Sequence, residues 1–182
     1  MESRLINLAL EISAKAHSKQ KRKGTDIPYI IHPVGVALIL SKYGYSDDFI
    51  IAGLLHDTVE DTSVTLKDIE KLFGKEIADI VDGCTEPNKF WSWKKRKMHT
   101  IELLKTASEG IRTVSCADKL HNIGTMKNEF ENIGEKVWKR FKVGREEYRW
   151  YFQSIVEVIC NNENQKPLFN EFKNEVENFF GK

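Results

Sequence analysis

A chain of 182 residues, 41% of them apolar and 30% charged, is long enough to bury a core and reads as one folded domain over residues 1–182, not as a disordered polymer. A formal net charge of +1 gives no general field for nucleic acid or a membrane surface, so any phosphate binding has to be local. Cys84, Cys116 and Cys160 are odd in number, widely spaced and without a CxxC pair, which excludes a disulfide framework and a thiolate zinc site and predicts small buried residues.

The opening stretch MESRLINLALEISAKAH is amphipathic, with Leu5, Leu8, Ala9, Ile12 and Ala16 at helical spacing over residues 4–17. Glu2, Arg4 and Glu11 interrupt it, so it has neither the apolar core of a signal peptide nor the length of a membrane span. A cytoplasmic location is the default expectation. Residues 19–31, KQKRKGTDIPYII, form a basic loop with a glycine and a proline just before His32, the loop best suited to carry function.

Val34, Ala37, Leu38 and Ser41 predict a helix over 34–42, and Asp47 or Asp48 is placed to cap a helix running through FIIAGLLHDTVED, residues 49–61. Thr65 followed by Asp68 forms a capping-box start for LKDIEKLF, which Gly74 stops, and Ile77, Ile80 and Val81 continue an apolar face. Further helical patterns cover 94–108, 111–124, 135–160 and 168–179, and the four prolines fall where helices begin or end. No stretch alternates like a strand, and no repeat or linker appears. The fold class is all-α, a compact helical bundle.

The stretch LLHDTVEDT ends an apolar run with a histidine and three carboxylates. If it is helical, His56 and Glu60 are four apart, as are Asp57 and Asp61, giving one helix a polar wall. An isolated HD pair is usually a hydrogen-bonded core feature. Here His32, before Pro33, and Asp118, after Val114 and Ala117, are further ionisable groups where the pattern expects burial. Buried charge needs a partner or a cation. Two histidines and two aspartates make a nitrogen and oxygen set suited to manganese, iron or zinc with positions left for water, which points to catalysis. A cation held there acidifies water and polarises a phosphoryl oxygen. Glu60 and Asp61 then either activate that water or are a solvated helix end pairing with lysines; spacing leaves both open.

The order of His32, His56-Asp57 and Asp118 resembles the HD superfamily of metal-dependent phosphohydrolases. AHSKQKRKGTDIPYIIHP, AGLLHDTVEDT and CADKLHNI resemble the hydrolase domain of the Rel/Spo family, which removes the 3′ diphosphate of the alarmones ppGpp and pppGpp. The motif core spans about residues 9–128, with C-terminal helices over 135–180 completing an HD-type bundle. No room remains for the synthetase and regulatory domains of the long enzymes, so the resemblance is to stand-alone small alarmone hydrolases, including the metazoan SpoT homologue.

The resemblance implies that His32, His56, Asp57 and Asp118 ligate one divalent ion, usually Mn²⁺ in the family with Fe²⁺ or Zn²⁺ as other candidates, and that Glu60 and Asp61 position and activate water. It implies nucleotide contacts from Arg22 and Lys23, from Asn122 and Thr125, and from Tyr148. Gly124 stands where the long enzymes have arginine, and TEPNKFWSWKKRK replaces their VTK region. Lys94 to Lys97 form a solvated helix face or, less readily, a phosphate-steering patch. His17 and His121 are expected to hydrogen-bond within their helices and His99 to sit on the surface. Trp138, Phe141, Trp150 and Phe152 are expected in the core. The expected partner is a nucleotide, with no nucleic acid and no membrane, and both monomer and homodimer stay open. ppApp hydrolysis, NADPH phosphatase activity and a non-catalytic nucleotide sensor are the alternatives.

Overall fold

Helical periodicity is realised almost throughout. The computed structural model describes residues 2–86, 88–160 and 166–181. It contains α1 (Glu2–Ala16), α2 (Ile31–Lys42), α3 (Asp47–Leu55), α4 (Thr58–Asp61), α5 (Leu66–Phe73), α6 (Lys75–Cys84), α7 (Trp93–Thr106), α8 (Glu109–Ile133), a 3-10 segment (Gly134–Arg140), α9 (Arg145–Ile159) and α10 (Pro167–Phe180). Among the described residues there is no β-strand, only an isolated antiparallel bridge between Lys21 and Pro28 that closes the basic loop. No described helix is long and apolar enough to cross a membrane. Pro33 lies in the first turn of α2 and Pro167 at the start of α10, where a missing N–H is harmless. Pro87, also expected at a helix end, lies outside the described residues.

The core is organised around two helices. In α3, Ile51, Ala52, Gly53, Leu54 and Leu55 are all buried, as expected for a helix that is apolar on every side. Each large side chain there contributes on the order of 2 kcal/mol by leaving water. α1, α2, α6 and α8 pack on it. The 25-residue α8 buries Val114, Cys116, Ala117, Leu120, Ile123 and Met126, and it also carries α10 and the 3-10 segment. The capping box of α5 forms as expected, with the Asp68 N–H donating to Thr65 Oγ1 at 3.2 Å and the Thr65 N–H to Asp68 Oδ2 at 3.0 Å. Gly74 at φ 92° turns the chain into α6, a conformation that a side chain would strain.

Four expectations change. Ser46, not Asp47 or Asp48, is the N-cap residue of α3; the two aspartates occupy its first turn, where they favour the positive end of the helix dipole. The 49–61 helix is broken after Leu55 by a turn at His56 and Asp57. The 111–124 pattern is the middle of a helix running from Glu109 to Ile133. The 135–160 pattern is split, because Phe141 is extended (φ −105°, ψ 160°) between the 3-10 segment and α9. That break sets the Phe141 ring 5.0 Å from Tyr148. Of the expected core aromatics, Trp138 and Phe152 are buried, while Phe141 and Trp150 are partly buried against the core. Cys116 and Cys160 are buried thiols and Cys84 is half-buried.

Candidate active site

The turn after Leu55 determines the site. His56 Nδ1 donates to the Gly53 carbonyl at 2.8 Å, and the Thr58 hydroxyl donates to the Leu55 carbonyl at 2.7 Å. These bonds end α3 and turn His56 and Asp57 inward, so the expected polar wall along one helix does not form. Instead Asp57 Oδ2 lies 3.1 Å from His56 Nε2 and 3.5 Å from His32 Nε2. Asp118 Oδ1, from α8, lies 3.2 Å from His32 Nε2 and 3.9 Å from His56 Nε2. One donor atom from each of His32, His56 and Asp118 falls within 4.8 Å of the others. The expected ligand set is thereby gathered from α2, the α3–α4 turn and α8.

These donors fit a divalent cation. His56 Nε2 is buried and has no hydrogen-bond partner, while its Nδ1 hydrogen is committed to a backbone carbonyl, the arrangement that leaves Nε2 a bare lone pair. The set is nitrogen and oxygen without thiolate. Burial works against charge on Asp57 and Asp118, yet His56 holds Asp57, and Lys119 with His32 holds Asp118, below the usual carboxylate range. Burial also opposes charge on His56, but Asp57 raises it to about 9; for His32 burial dominates and lowers it. Without a cation the two carboxylates are balanced by the Lys119 ammonium and by a proton on His56, and a divalent ion would displace that proton.

A cavity of about 460 Å³ opens on this cluster. Arg22, Lys23, His32, Asp57, Glu60, Asp118, Asn122, Thr125 and Tyr148 line it; His56 lies behind it and Asp61 is not part of its wall. Arg22 Nη2 donates to Asn122 Oδ1 at 2.9 Å, Asn122 Nδ2 donates to Asp118 Oδ1 at 2.5 Å, and the Arg22 guanidinium lies 5.5 Å from the Tyr29 ring centre. Lys23 Nζ lies 5.3 Å from the Phe141 ring; burial, with Lys142 and Arg96, lowers its pKa. The Thr125 hydroxyl donates to the His121 carbonyl at 3.0 Å.

Glu60 and Asp61 are separated in environment. Glu60 Oε2 accepts the Glu86 N–H at 3.0 Å, and burial raises its pKa, helped by the charges of Glu86, Asp57 and Asp61. Asp61 accepts Gln20 Nε2 at 3.0 Å and Lys89 Nζ at 2.6 Å, the lysine pairing that spacing alone left open.

The Lys94 to Lys97 run is split. Lys94 and Lys95 are exposed, over the Trp150 and Trp91 rings at 3.7 and 4.2 Å. Arg96 and Lys97 turn into the cavity wall and both donate to Glu86. His17 keeps its local bond, to Gln20 at 2.7 Å. His121 does not: its Nδ1 meets His32 Nδ1 at 2.9 Å. His99 is half-buried on the cavity wall, edge-on to Trp91. Sequence reasoning missed Tyr29, whose hydroxyl donates to Asp57 Oδ2 at 2.6 Å, and Lys119, which pairs with Asp118. Tyr29 stands three residues before His32, and that adjacency was the available signal.

The HD domain family model matches residues 9–144. A Xenopus tropicalis protein named guanosine-3′,5′-bis(diphosphate) 3′-pyrophosphohydrolase MESH1 is 40% identical over 161 residues, which cover 87% of this chain and 84% of that protein. An Aquifex aeolicus guanosine-3′,5′-bis(diphosphate) 3′-pyrophosphohydrolase is 38% identical over 123 residues, 66% of this chain and 18% of that protein. The chain thus spans under a fifth of that long relative. A solved structure titled as a metazoan orthologue of SpoT that hydrolyses ppGpp superposes with a TM-score of 0.79 at 25% identity, covering 96% of this chain and 94% of that one. With the family model matching most of the chain and the expected donors meeting in one cluster, the chain belongs to the HD-domain family.

Proposed function

We propose that the chain is a metal-dependent pyrophosphohydrolase that removes the 3′ diphosphate of guanosine alarmones, giving GDP from ppGpp or GTP from pppGpp, with pyrophosphate. The observation that carries this is the cavity itself: a basic, aromatic chamber opening on a buried histidine and aspartate cluster. The relatives' names support the choice of substrate.

His32, His56, Asp57 and Asp118 would hold one divalent ion, with Mn²⁺ as the preferred species. When bound, it supplies Lewis-acid charge at a phosphoryl oxygen and makes water more acidic. The remaining work belongs to the chain. Glu60, one oxygen held by the Glu86 N–H, accepts a proton from the attacking water at the other. Asp61, fixed by Gln20 and Lys89, supports this through its charge, which raises Glu60. The water oxygen bonds to the phosphorus carried on O3′, the P–O3′ bond breaks, and O3′ takes up a proton. Arg22 would stack on the base and Lys23 would meet phosphate, while Asn122, Thr125 and Tyr148 would hold the nucleoside.

A single domain over residues 1–182 is part of this reading, supported by Tyr148, Tyr151 and Phe152 of α9, which line the same cavity as the motif-bearing helices. A soluble nucleotide substrate is consistent with a cytoplasmic location. The test is a panel of ppGpp, ppApp and NADPH with Mn²⁺, read by released pyrophosphate or phosphate. Pyrophosphate from ppGpp above all others is expected; turnover of ppApp or NADPH alone would reassign the substrate, and binding without turnover would make the protein a sensor.

A further inference from the structure

The contact between His121 and His32 joins α2 and α8, two of the three elements that build the cluster, and the proposed reaction leaves it unused. The rings are 4.9 Å apart at 57°, with Nδ1 facing Nδ1 at 2.9 Å. Two imidazole nitrogens at that separation share one hydrogen, so one ring donates and the other accepts. If His121 donates, a neutral His32 carries its own hydrogen on Nε2. If His32 donates, its Nε2 is a bare lone pair. That Nε2 is the atom facing Asp118 Oδ1 at 3.2 Å and Asp57 Oδ2 at 3.5 Å, so only the second arrangement serves a cation.

We propose that His121 is a positioning residue for the cation site: its Nδ1 accepts the Nδ1 hydrogen of His32, fixing that ring's tautomer and orientation, and Gly35 provides the space for the contact. The proposal rests on the cation-site reading given above. Gly35 follows His32 by three residues on α2, and a Cβ there would fall 2.1 Å from His121 Nε2 and 2.2 Å from its Cδ2. The imidazole is held on its other edge by His32, so it has no retreat that keeps the bond. α2 therefore supplies both the ligand and the space for its orienting partner. α8 supplies Asp118 and, three residues on, the group that orients a ligand of another helix. The common orienting partners of metal-bound histidines are carboxylates, carbonyls and water; a neutral imidazole performs this role without adding charge to a cluster that already has two carboxylates.

The experiment uses the full chain as wild type, His121→Ala, His121→Asn and Gly35→Ala. Mn²⁺ affinity is measured by calorimetry, melting of the metal-free proteins serves as the folding control, and Zn²⁺-loaded samples are read by long-range ¹H–¹⁵N spectra of the imidazoles. His121→Ala should weaken Mn²⁺ binding roughly 10- to 100-fold at a melting temperature near wild type. His121→Asn, whose amide oxygen accepts a hydrogen bond, should recover much of the loss, and it carries the comparison if the alanine variant fails to fold. Gly35→Ala should reproduce the loss although it alters no ligand. In the wild type, His32 should show a protected Nδ1 hydrogen that disappears in His121→Ala. Wild-type affinity in both His121 variants, or a His32 hydrogen on Nε2 in the loaded protein, would overturn the proposal. A wild type that binds neither ion would instead overturn the cation-site reading itself, and this proposal with it.

Discussion

The backbone N–H of Glu86 donates to Glu60 Oε2 at 3.0 Å, while the Glu86 carboxylate receives Arg96 and Lys97. One residue thus joins the proposed proton acceptor to the basic side of the cavity. Burial raises the Glu86 pKa, but Lys97 and Arg96 overcome it and hold the group below 4.5. A depressed carboxylate stabilises the fold above its unfolded pKa, and that contribution is lost as pH falls through the folded value. In Glu86→Gln, stability at neutral pH should fall by roughly 1–3 kcal/mol, and the decline of melting temperature with acid below pH 4.5 should flatten. A variant with an unchanged acid limb would remove the ion pairs from the account of stability.

Removing the cation should stop turnover while the fold persists. Chelation is expected to abolish pyrophosphate release and lower the melting temperature, with Mn²⁺ restoring both. At a hundredfold excess over its Kd a ligand adds about 2.7 kcal/mol. His56→Ala or Asp57→Ala should lose the response to Mn²⁺ altogether, as thermal shift would report.

Glu60→Gln separates the two halves of the site. It should bind Mn²⁺ as the wild type does and lose about 10²- to 10⁴-fold in kcat, the range for removing a general base. Retained turnover would take Glu60 out of the mechanism and leave water activation elsewhere.

Arg22→Lys keeps the charge but loses the planar surface and the fork that reaches Asn122 Oδ1. KM for ppGpp should rise, with kcat reduced less, because the affected contact holds ground and transition states alike. Steady-state kinetics reads the split directly; a fall in kcat at unchanged KM would place Arg22 at the reacting phosphate.

Leu55→Ala opens the core beneath the metal cluster. Leu55 is 0% exposed, and truncation should cost about 2–5 kcal/mol in denaturant unfolding.

The helices were legible where one side of each is apolar, as in α1, α5 with its capping box, and α6. The ligand set was legible because His32, His56, Asp57 and Asp118 interrupt segments that otherwise demand burial. What stayed hidden depends on contacts between distant segments. The turn at His56 and Asp57 lies inside a pattern that periodicity continues to Asp61, since hydrogen bonds to Gly53 and Leu55 carbonyls leave no mark in residue spacing. His121 looked local because its partner lies 89 positions away. The Lys94 to Lys97 run looked uniform because the helix divides it, two residues outward and two inward, around Glu86, which precedes it by eight residues or more.

The wholly buried run from Ile51 to Leu55, ending directly at His56, has a dynamic consequence. Amides in such a segment exchange with solvent only in the largest openings of a protein, whereas an exposed loop such as 19–31 exchanges through small local ones. His56 therefore follows directly on backbone that is among the last to open, whereas Arg22 and Lys23 stand on a loop that opens early. Openings confined to that loop leave the backbone that anchors His56 intact, so amides of Ile51 to Leu55 should exchange far more slowly than those of residues 19–31.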